Sequence, residues 1–267
     1  MAGQYISRMG QVEVYTGKCF RIFRHEKGWK SFLTSGLIMI LISCVTGEDM
    51  FQAYGQTRNG AFALVSACIW IGIFNSIRSI CRERDIIKRE HRTGLHVSSY
   101  IIAHMVFEAV ICLGEAVIAA LIVWIANISH YPEWGIVGPA QVELLITFFL
   151  IIYSSDAMGI LISSVVKNEN SAMTVMPFAL IIQLVMAGTI FELSGVTKAV
   201  SSLTISRWGQ AAICAVSKVE DMSPLYPDEY AATVFNLSCL WAFLIVFTAM
   251  YGILSIISLE FIDNDKR

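Results

Sequence analysis

The sequence predicts an all-α membrane protein with six transmembrane helices, and three observations support this fold class. Hydrophobic residues make up 56% of the 267-residue chain and charged residues only 15%, whereas soluble domains average about 45–50% and about 25%. The mean hydropathy is +0.64. Six apolar runs are long enough for a helix to cross a hydrocarbon core of about 30 Å. They are longer than barrel strands and do not alternate polar with apolar residues, so they predict helices.

The predicted spans are residues 29–46, 60–77, 98–125, 142–166, 171–191 and 236–259. Before them, residues 4–27 place apolar side chains among charges, which predicts an amphipathic helix lying in the cytoplasmic interface. A partly frayed tail is the alternative. Helically spaced apolar residues and two prolines in 192–235 predict a partly helical outer segment between the fifth and sixth spans. We therefore expect a cytoplasmic amphipathic helix at 1–28 and one six-helix transmembrane domain at 29–267.

The basic residues predict the orientation of the chain. Fifteen of the 19 Lys and Arg residues fall before the first span, between the second and third spans, after the fourth span and at the end of the chain. The opposite side receives four, namely Arg58, Lys198, Arg207 and Lys218. The positive-inside rule then predicts a multi-pass protein of the plasma (inner) membrane with both termini in the cytoplasm. No cleavable secretory signal is expected, because charges interrupt the first thirty residues.

Several kinds of chemistry have no motif in this sequence. The single Gly-Lys pair, Gly17–Lys18, lacks the other residues of a phosphate-binding loop. Zinc-protease and serine-hydrolase motifs do not occur, and the five histidines do not cluster. We therefore expect no enzyme activity, metal or cofactor in this chain, and no nucleic-acid partner. Cys214 and Cys239 are both predicted near the outer face, and a disulfide between them is left open.

The most informative stretch is RERDIIKREHRTGLHVSSY, residues 82–100, inside a predicted cytoplasmic elbow at 78–97. Eight of the eleven residues in 82–92 are Lys, Arg, Asp or Glu. Charges of both signs at three- and four-residue spacing predict a short helix that docks on a partner and ends before Gly94. A solvated loop that only anchors topology is the alternative. The predicted docking residues are Arg82, Glu83, Arg84, Lys88, Arg89, Glu90, His91 and Arg92.

The elbow resembles that of the ABCG-like (type-2 exporter) ABC transporter permeases, where a Glu-rich segment contacts the nucleotide-binding domain and leads through Gly and Ser-Ser-Tyr into the third span. The matching residues are Glu83, Glu90, Gly94 and Ser98-Ser99-Tyr100.

The resemblance continues towards the C-terminus and covers nearly the whole chain in order. In MAGTIFEL, residues 186–193, Gly188 ends the fifth span as in that family. ISRWGQAAI, residues 205–213, is similar to the family's outer Pro-Arg-Tyr-Gly segment, with Ser206 in place of the proline and Trp208 in place of the tyrosine.

The resemblance implies the permease subunit of an ATP-driven exporter for a hydrophobic or amphipathic substrate. Members of that family often carry an ATPase N-terminal to the membrane part, and this sequence begins at what would be the connecting helix. A separate ATP- and Mg-binding ATPase chain and a second permease copy or paralogue are thus the expected partners, besides membrane lipid. Aligned on Glu83 and Gly188, the implied substrate-cavity positions are Cys68, Ile71, Ile181 and Leu184, for which lipid-facing or dimer-core packing stays open.

Four ionisable residues well inside the predicted spans are singled out as candidates: His104, Glu108, Glu115 and Asp156. Burying these groups in lipid is costly, so all four are expected to face the bundle interior. The three carboxyls are then expected to meet hydroxyls, His104 or water. An interhelical hydrogen-bond network is favoured over a polar relay or proton site. Two rival functions remain open at this stage. One is a non-transporting sensor or assembly platform that binds a partner through residues 192–235, and the other is a passive channel.

Overall fold

The computed structural model describes residues 7–47, 50–191 and 194–261, and within these ranges the regular secondary structure is helical. In chain order the helices are α1 (Arg8–His25), α2 (Lys30–Thr46), α3 (Tyr54–Ser76), α4 (Ser79–Arg92), α5 (Val97–Ala126), α6 (Ala140–Val165), α7 (Glu169–Val185), α8 (Val196–Ser201), α9 (Ile205–Val216), α10 (Val219–Met222) and α11 (Val234–Glu260). A 3-10 turn lies at Asp228–Tyr230. The predicted all-α class is confirmed.

Four of the described helical stretches are long and apolar enough to cross a membrane: α3 continued by α4, α5, α6 and α11. A fifth arises if α1 and α2, which meet at a bend of 71°, are counted as one. Helices α2 and α7 have 17 residues each, which gives about 26 Å of helix against a core of about 30 Å. The count of six spans therefore stays a prediction.

Helix α7 ends six residues earlier than the predicted span at 171–191. Its last helical residue is Val185, and Gly188 just beyond it has a φ of 81°. A left-handed glycine is typical of the region just after a helix C-terminus, and the family resemblance implies that Gly188 ends this span. Arg58 of α3 holds the released chain, because its Nη2 donates a hydrogen bond of 2.8 Å to the Gly188 carbonyl.

The centre of the bundle is α6, which packs against α3, α5 and α11. Phe148, Ile151 and Ile152 of α6 are fully buried. Helices α3 and α6 approach closely because Gly72 faces the α6 backbone, where an added Cβ atom would lie 2.2 Å from the Ile152 carbonyl oxygen. Small residues permit such contacts between membrane helices, and here they position the polar residues described below.

Helix α1 is a packed helix rather than a frayed tail over the residues that the structure describes. Its inner face carries Tyr15, Cys19 and Phe23, and the ring of Phe23 lies edge-on to Phe107 of α5 with 5.7 Å between centroids. Burial raises the pKa of the Cys19 thiol to about 12. Residues 1–6 lie outside the described part, and the location of α1 in the membrane interface stays a prediction.

The segment between α7 and α11 contains short helices, of which α9 is deeply buried. Ten of its twelve residues are inaccessible, because α9 packs against α3, α6 and α11. Trp208 of α9 stacks on Phe243 of α11 with 4.2 Å between centroids, and Arg207 forms an ion pair with Glu229. Cys214 and Cys239 are both free thiols in this structure.

Candidate functional site

The elbow folds as helix α4, whose first turn is capped by α6 rather than by its own sequence. Arg78 precedes the helix and provides no side-chain cap. Instead, the hydroxyl of Ser163 accepts hydrogen bonds of 3.0 Å from the backbone N–H groups of Ile80 and Cys81. The first N–H groups of any helix lack partners within the helix. Ser163 therefore fixes the start of α4 to the end of α6.

A second connection between α4 and α6 is made by Arg84. Its Nη1 donates to the carbonyl oxygens of Ser164 at 2.8 Å and Val166 at 3.1 Å. These carbonyls lie at the C-terminus of α6, where a cation is favoured by the helix dipole. Arg84, predicted to dock on a partner, thus contributes to holding α4 in place.

Both glutamates of the predicted docking set face helix α1. Glu83 Oε2 lies 2.9 Å from Lys18 Nζ and accepts a hydrogen bond of 3.0 Å from the Tyr100 hydroxyl. Glu90 accepts one of 2.8 Å from the Tyr15 hydroxyl. Burial, and then this bond to Glu90, raise the pKa of Tyr15 far above its usual range, so the phenol stays a donor. Both carboxylates are therefore bound by side chains of other helices in the same chain.

The α1–α4 contact continues at both ends. Arg82 donates to Glu26 at 3.0 Å and 2.5 Å, and this guanidinium holds the pKa of the Glu26 carboxyl below its usual range. The opposite end is tied by Gln11, which donates to the Gly94 carbonyl at 3.1 Å and accepts from the His96 N–H at 3.0 Å. Gly94, with a φ of 110°, follows the end of α4 at Arg92, as predicted.

The remaining face of α4 is exposed, and we call it the outer stripe. Its members are Arg82, Asp85, Ile86, Arg89 and Arg92. They recur at three- and four-residue spacing, as expected for one helix face. The opposite face is apolar, because Ile80 and Ile87 are fully buried. The outer stripe combines three cations, one anion and one apolar side chain that is 37% exposed.

The structure therefore divides the eight predicted docking residues. Arg82, Arg89 and Arg92 lie on the outer stripe, and Arg82 also binds Glu26 at the end of α1. Glu83, Arg84 and Glu90 bind other helices of the same chain. Lys88 and His91 are partly buried, and His91 Nδ1 lies 3.1 Å from the Leu95 carbonyl oxygen. Asp85 and Ile86 were not singled out by the sequence, although their spacing from Arg82 and Arg89 would have indicated the same face.

Among the intramembrane polar residues, Glu115 has a complete set of partners. Ser31 and Ser35 of α2 donate to Oε1 at 2.5 Å and 2.9 Å, and Asn75 of α3 donates to Oε2 at 2.6 Å. This arrangement joins α2, α3 and α5, as the predicted interhelical network requires. His104 lies elsewhere, with its Nε2 3.8 Å from the Cys19 sulfur.

Asp156 differs from Glu115 in its hydrogen bonding. Asp156 is fully buried and Glu108 is 5% exposed. Neither carboxyl oxygen of Asp156 accepts a hydrogen bond from the described residues. The structure therefore does not connect the four predicted residues in one network. Whether they take part in transport stays a prediction.

The four predicted cavity positions differ in their exposure. Cys68 and Ile71 of α3 lie in the core at 0% and 3% exposure, whereas Ile181 of α7 is 55% exposed. Leu184 is half-buried. In this conformation of a single chain they line no common surface, and their role as a substrate cavity stays a prediction.

One buried acid was missed by the sequence analysis. Glu143, at 3% exposure, accepts hydrogen bonds from the backbone N–H groups of Ile136, Val137 and Gly138 at 2.9, 2.6 and 2.8 Å. It fixes the loop between α5 and α6. The available signal was an acid at the N-terminal end of an apolar run, four residues after Pro139 of a Gly-Pro pair.

Known proteins are similar to this chain over most of the helices described above. The model of the family described as ABC-2 type transporter matches residues 11–217, from α1 through α9. An ABC transporter ATP-binding/permease protein of Mycobacterium tuberculosis (strain H37Rv) is 26% identical over 160 residues. The alignment covers 58% of this chain and 18% of that relative, so the likeness extends over less than a fifth of the relative.

Proposed function

The chain belongs to the ABC-2 type transporter family as an ABC transporter permease, and we propose that it works in an ATP-driven exporter coupled to a separate ATPase chain. The observation that carries this proposal is the outer stripe on α4. An exposed surface of mixed charge, backed by a rigid scaffold, suits a protein partner better than lipid. The position of the stripe at one end of the bundle leaves it accessible to such a partner.

The scaffold behind the stripe supplies a route for coupling. Helix α4 is tied to α1 through Lys18, to α5 through Tyr100, and to α6 through Ser163. A partner that binds α4 differently in two nucleotide states would shift α6, which lies at the centre of the bundle. Transport requires such a difference in binding free energy between inward- and outward-open states.

ATP and Mg²⁺ are assigned to the partner, because these 267 residues contain no phosphate-binding loop. The relative is named an ATP-binding/permease protein, which supports the pairing of a permease of this kind with an ATPase. We further propose that two permeases, either identical copies or paralogues, form the transporter. The exposed apolar residues Phe178, Ile181 and Ile182 of α7 are suited to a contact with a second copy or with a hydrophobic or amphipathic substrate.

We place α4 and both termini on the cytoplasmic side of the plasma (inner) membrane. The basic residues around α1 and α4 support this orientation. Cysteines introduced at Arg89 and Lys198, both exposed, in a background without native cysteines would test it. A membrane-impermeant maleimide added to intact cells should label the cysteine at 198 and spare the cysteine at 89. The opposite pattern would reverse the assignment.

The outer stripe is tested with an Asp85→Arg, Arg89→Glu double variant. After purification in mild detergent, we expect the wild-type permease to carry an ATP-hydrolysing partner and the double variant to lose it. The melting temperature of the permease should stay unchanged, since these side chains are exposed and the structure shows no hydrogen bond of either to a described residue.

Lys198→Glu, an exposed charge reversal at the other end of the bundle, is the control and should retain the partner. Full retention of ATP hydrolysis by the double variant would exclude the stripe as the docking site. Absence of any ATPase from the wild-type complex would favour the sensor or the channel.

A further inference from the structure

The bend between α1 and α2 forms an open groove that the proposed transport function does not use. Its volume is about 1040 Å³. Three aromatic side chains line it: Phe20, Phe23 and Trp29. Two of them are well exposed, since Phe20 is 39% and Trp29 is 54% accessible. Exposed aromatic rings at the end of a membrane helix are typical of the membrane–water interface.

Packing against α5 and α2 holds the floor of the groove. Phe20 and Phe23 both lie edge-on to Phe107, with 5.0 Å and 5.7 Å between ring centroids. Phe23 also contacts Phe32 at 6.1 Å. The bend itself is sharp, at 71°, and Lys27 adopts a left-handed φ of 57° to form it. The groove is therefore part of the folded structure of the bend.

The rest of the lining is basic. Arg21, Arg24, His25 and Lys27 contribute to the groove, and none of the described residues that line it is acidic. Glu26, the acid next to them in sequence, is bound by Arg82 of α4. Within the described ranges, no hydrogen bond or ion pair neutralises Arg21, Arg24 or Lys27. The groove thus presents uncompensated positive charge to its occupant.

An apolar ridge leads away from the groove along α2. Trp29, Leu33, Leu37 and Leu41 recur every four residues and are 54%, 60%, 58% and 58% exposed. Such a ridge faces hydrocarbon when α2 lies in a membrane. Basic side chains at its end and aromatic rings at the junction match an amphipathic molecule with an anionic head and apolar tails.

We propose that this groove binds the phosphate headgroup of an anionic phospholipid whose acyl chains lie along the α2 ridge. The two arginines are suited to the phosphate, because a guanidinium can donate two parallel hydrogen bonds to it. A free phosphate ion would use the same cations but would gain nothing from Trp29 and the ridge. This site goes beyond the proposed transport function, and its existence does not depend on ATP hydrolysis.

The position of the groove gives the lipid a structural role. The inner face of the same helix carries Tyr15 and Lys18, which hold α4 through Glu90 and Glu83. A lipid that anchors the C-terminal end of α1 to the bilayer also restrains α4. Lipid occupancy should therefore reduce the mobility of α4 along with that of α1.

Native mass spectrometry of the full chain in mixed micelles tests the proposal with dioleoylphosphatidylglycerol as the probe. The wild-type protein should retain phosphatidylglycerol in preference to phosphatidylcholine. Arg21→Ala, Arg24→Ala should weaken retention by about fivefold per arginine, on the order of twentyfold for the pair. A matched control, Arg8→Ala, Arg78→Ala, removes two exposed arginines outside the groove and should retain the lipid as the wild type does.

Two further measurements are made. One distinguishes a lipid headgroup from a free phosphate ion, and the other tests the contribution of an aromatic ring. Inorganic phosphate added to the micelles should fail to displace the lipid, and Trp29→Ala should weaken retention while both arginines remain. Displacement by inorganic phosphate would overturn the lipid assignment in favour of a free-anion site. Equal retention of phosphatidylglycerol by the groove variant and the control would overturn the site itself, and circular dichroism of each variant confirms that it is folded.

Discussion

Lys18 of α1 and Glu83 of α4 form a salt bridge of 2.9 Å between Nζ and Oε2. The same oxygen also accepts a hydrogen bond from Tyr100 of α5 at 3.0 Å. One carboxylate thus joins three helices at the end of the bundle where a partner is proposed to dock. Glu83 consequently acts on the orientation of α4, and the outer stripe presents the surface for the partner.

This relationship predicts the outcome of a charge exchange. Lys18→Glu and Glu83→Lys should each lower the melting temperature, because each places like charges side by side. The double variant should recover part of the loss, with a coupling free energy of about 1 kcal/mol, as the side chains are 30% and 18% exposed. A double-mutant cycle of thermal unfolding in detergent measures it. Strictly additive losses would show that the salt bridge contributes nothing.

Ser163 predicts a selective effect on the first turn of α4. Ser163→Ala removes the acceptor for the N–H groups of Ile80 and Cys81 and should cost about 1–2 kcal/mol of stability. Hydrogen exchange of these two amides should accelerate. Ser164→Ala is the matched control, since among the described residues that buried hydroxyl bonds only to the Leu161 carbonyl in its own helix. Equal acceleration in both variants would contradict the capping role.

The two buried acids Glu115 and Asp156 should respond differently to the same chemical change. Glu115→Gln replaces one carboxyl oxygen with an NH₂ group, which cannot accept from Asn75 or from the two serines, so it should cost about 1–3 kcal/mol. Asp156→Asn loses no hydrogen bond to a described residue and removes the possibility of an unpaired buried charge, so its melting temperature should be equal or higher. Thermal unfolding of both variants measures whether their stabilities change in these different directions. A large loss for Asp156→Asn would reveal a partner of Asp156 in another state.

Gly72 tests the closeness of α3 and α6. Gly72→Ala places a Cβ atom 2.2 Å from the Ile152 carbonyl oxygen, so the helices must separate, at a cost of about 3 kcal/mol. The yield of monodisperse protein in size-exclusion chromatography should fall. Gly55→Ala in the same helix meets no atom of the described residues within 4 Å and should leave the yield unchanged. Comparable yields from the two variants would mean that the contact is looser than described.

Much of the architecture could be predicted from local features of the chain. Apolar runs predict membrane helices because backbone N–H and C=O groups in lipid must be hydrogen-bonded within the protein. An α-helix satisfies all of them within one segment. The end of α4 before Gly94 was also predictable, because a left-handed glycine acts on the neighbouring residues alone. The length of α7 was not, since the apolar run continues through Ile190 and Phe191 after helical hydrogen bonding has ended.

The docking residues illustrate the limit of such reasoning. The density of charge in 82–92 correctly indicated a short helix, but charge alone does not reveal which side chains face a neighbour. That assignment depends on α1, whose Tyr15 and Lys18 lie far from Glu90 and Glu83 in sequence and meet them only after folding. In the same way, Glu115 and Asp156 are both acids within apolar runs of the sequence. Only the fold shows that residues of α2 and α3 donate hydrogen bonds to Glu115.

The sequence by itself determined the all-helical membrane class, the division into charged and apolar segments, and the short helix at the predicted elbow, because these follow from composition and from contacts between residues close in the chain. Tertiary structure alone decided which face of α4 is open, which buried acid has partners, and where a basic groove forms at the α1–α2 bend. These features depend on side chains from different helices that meet in space, and their distances are set by packing of the whole bundle.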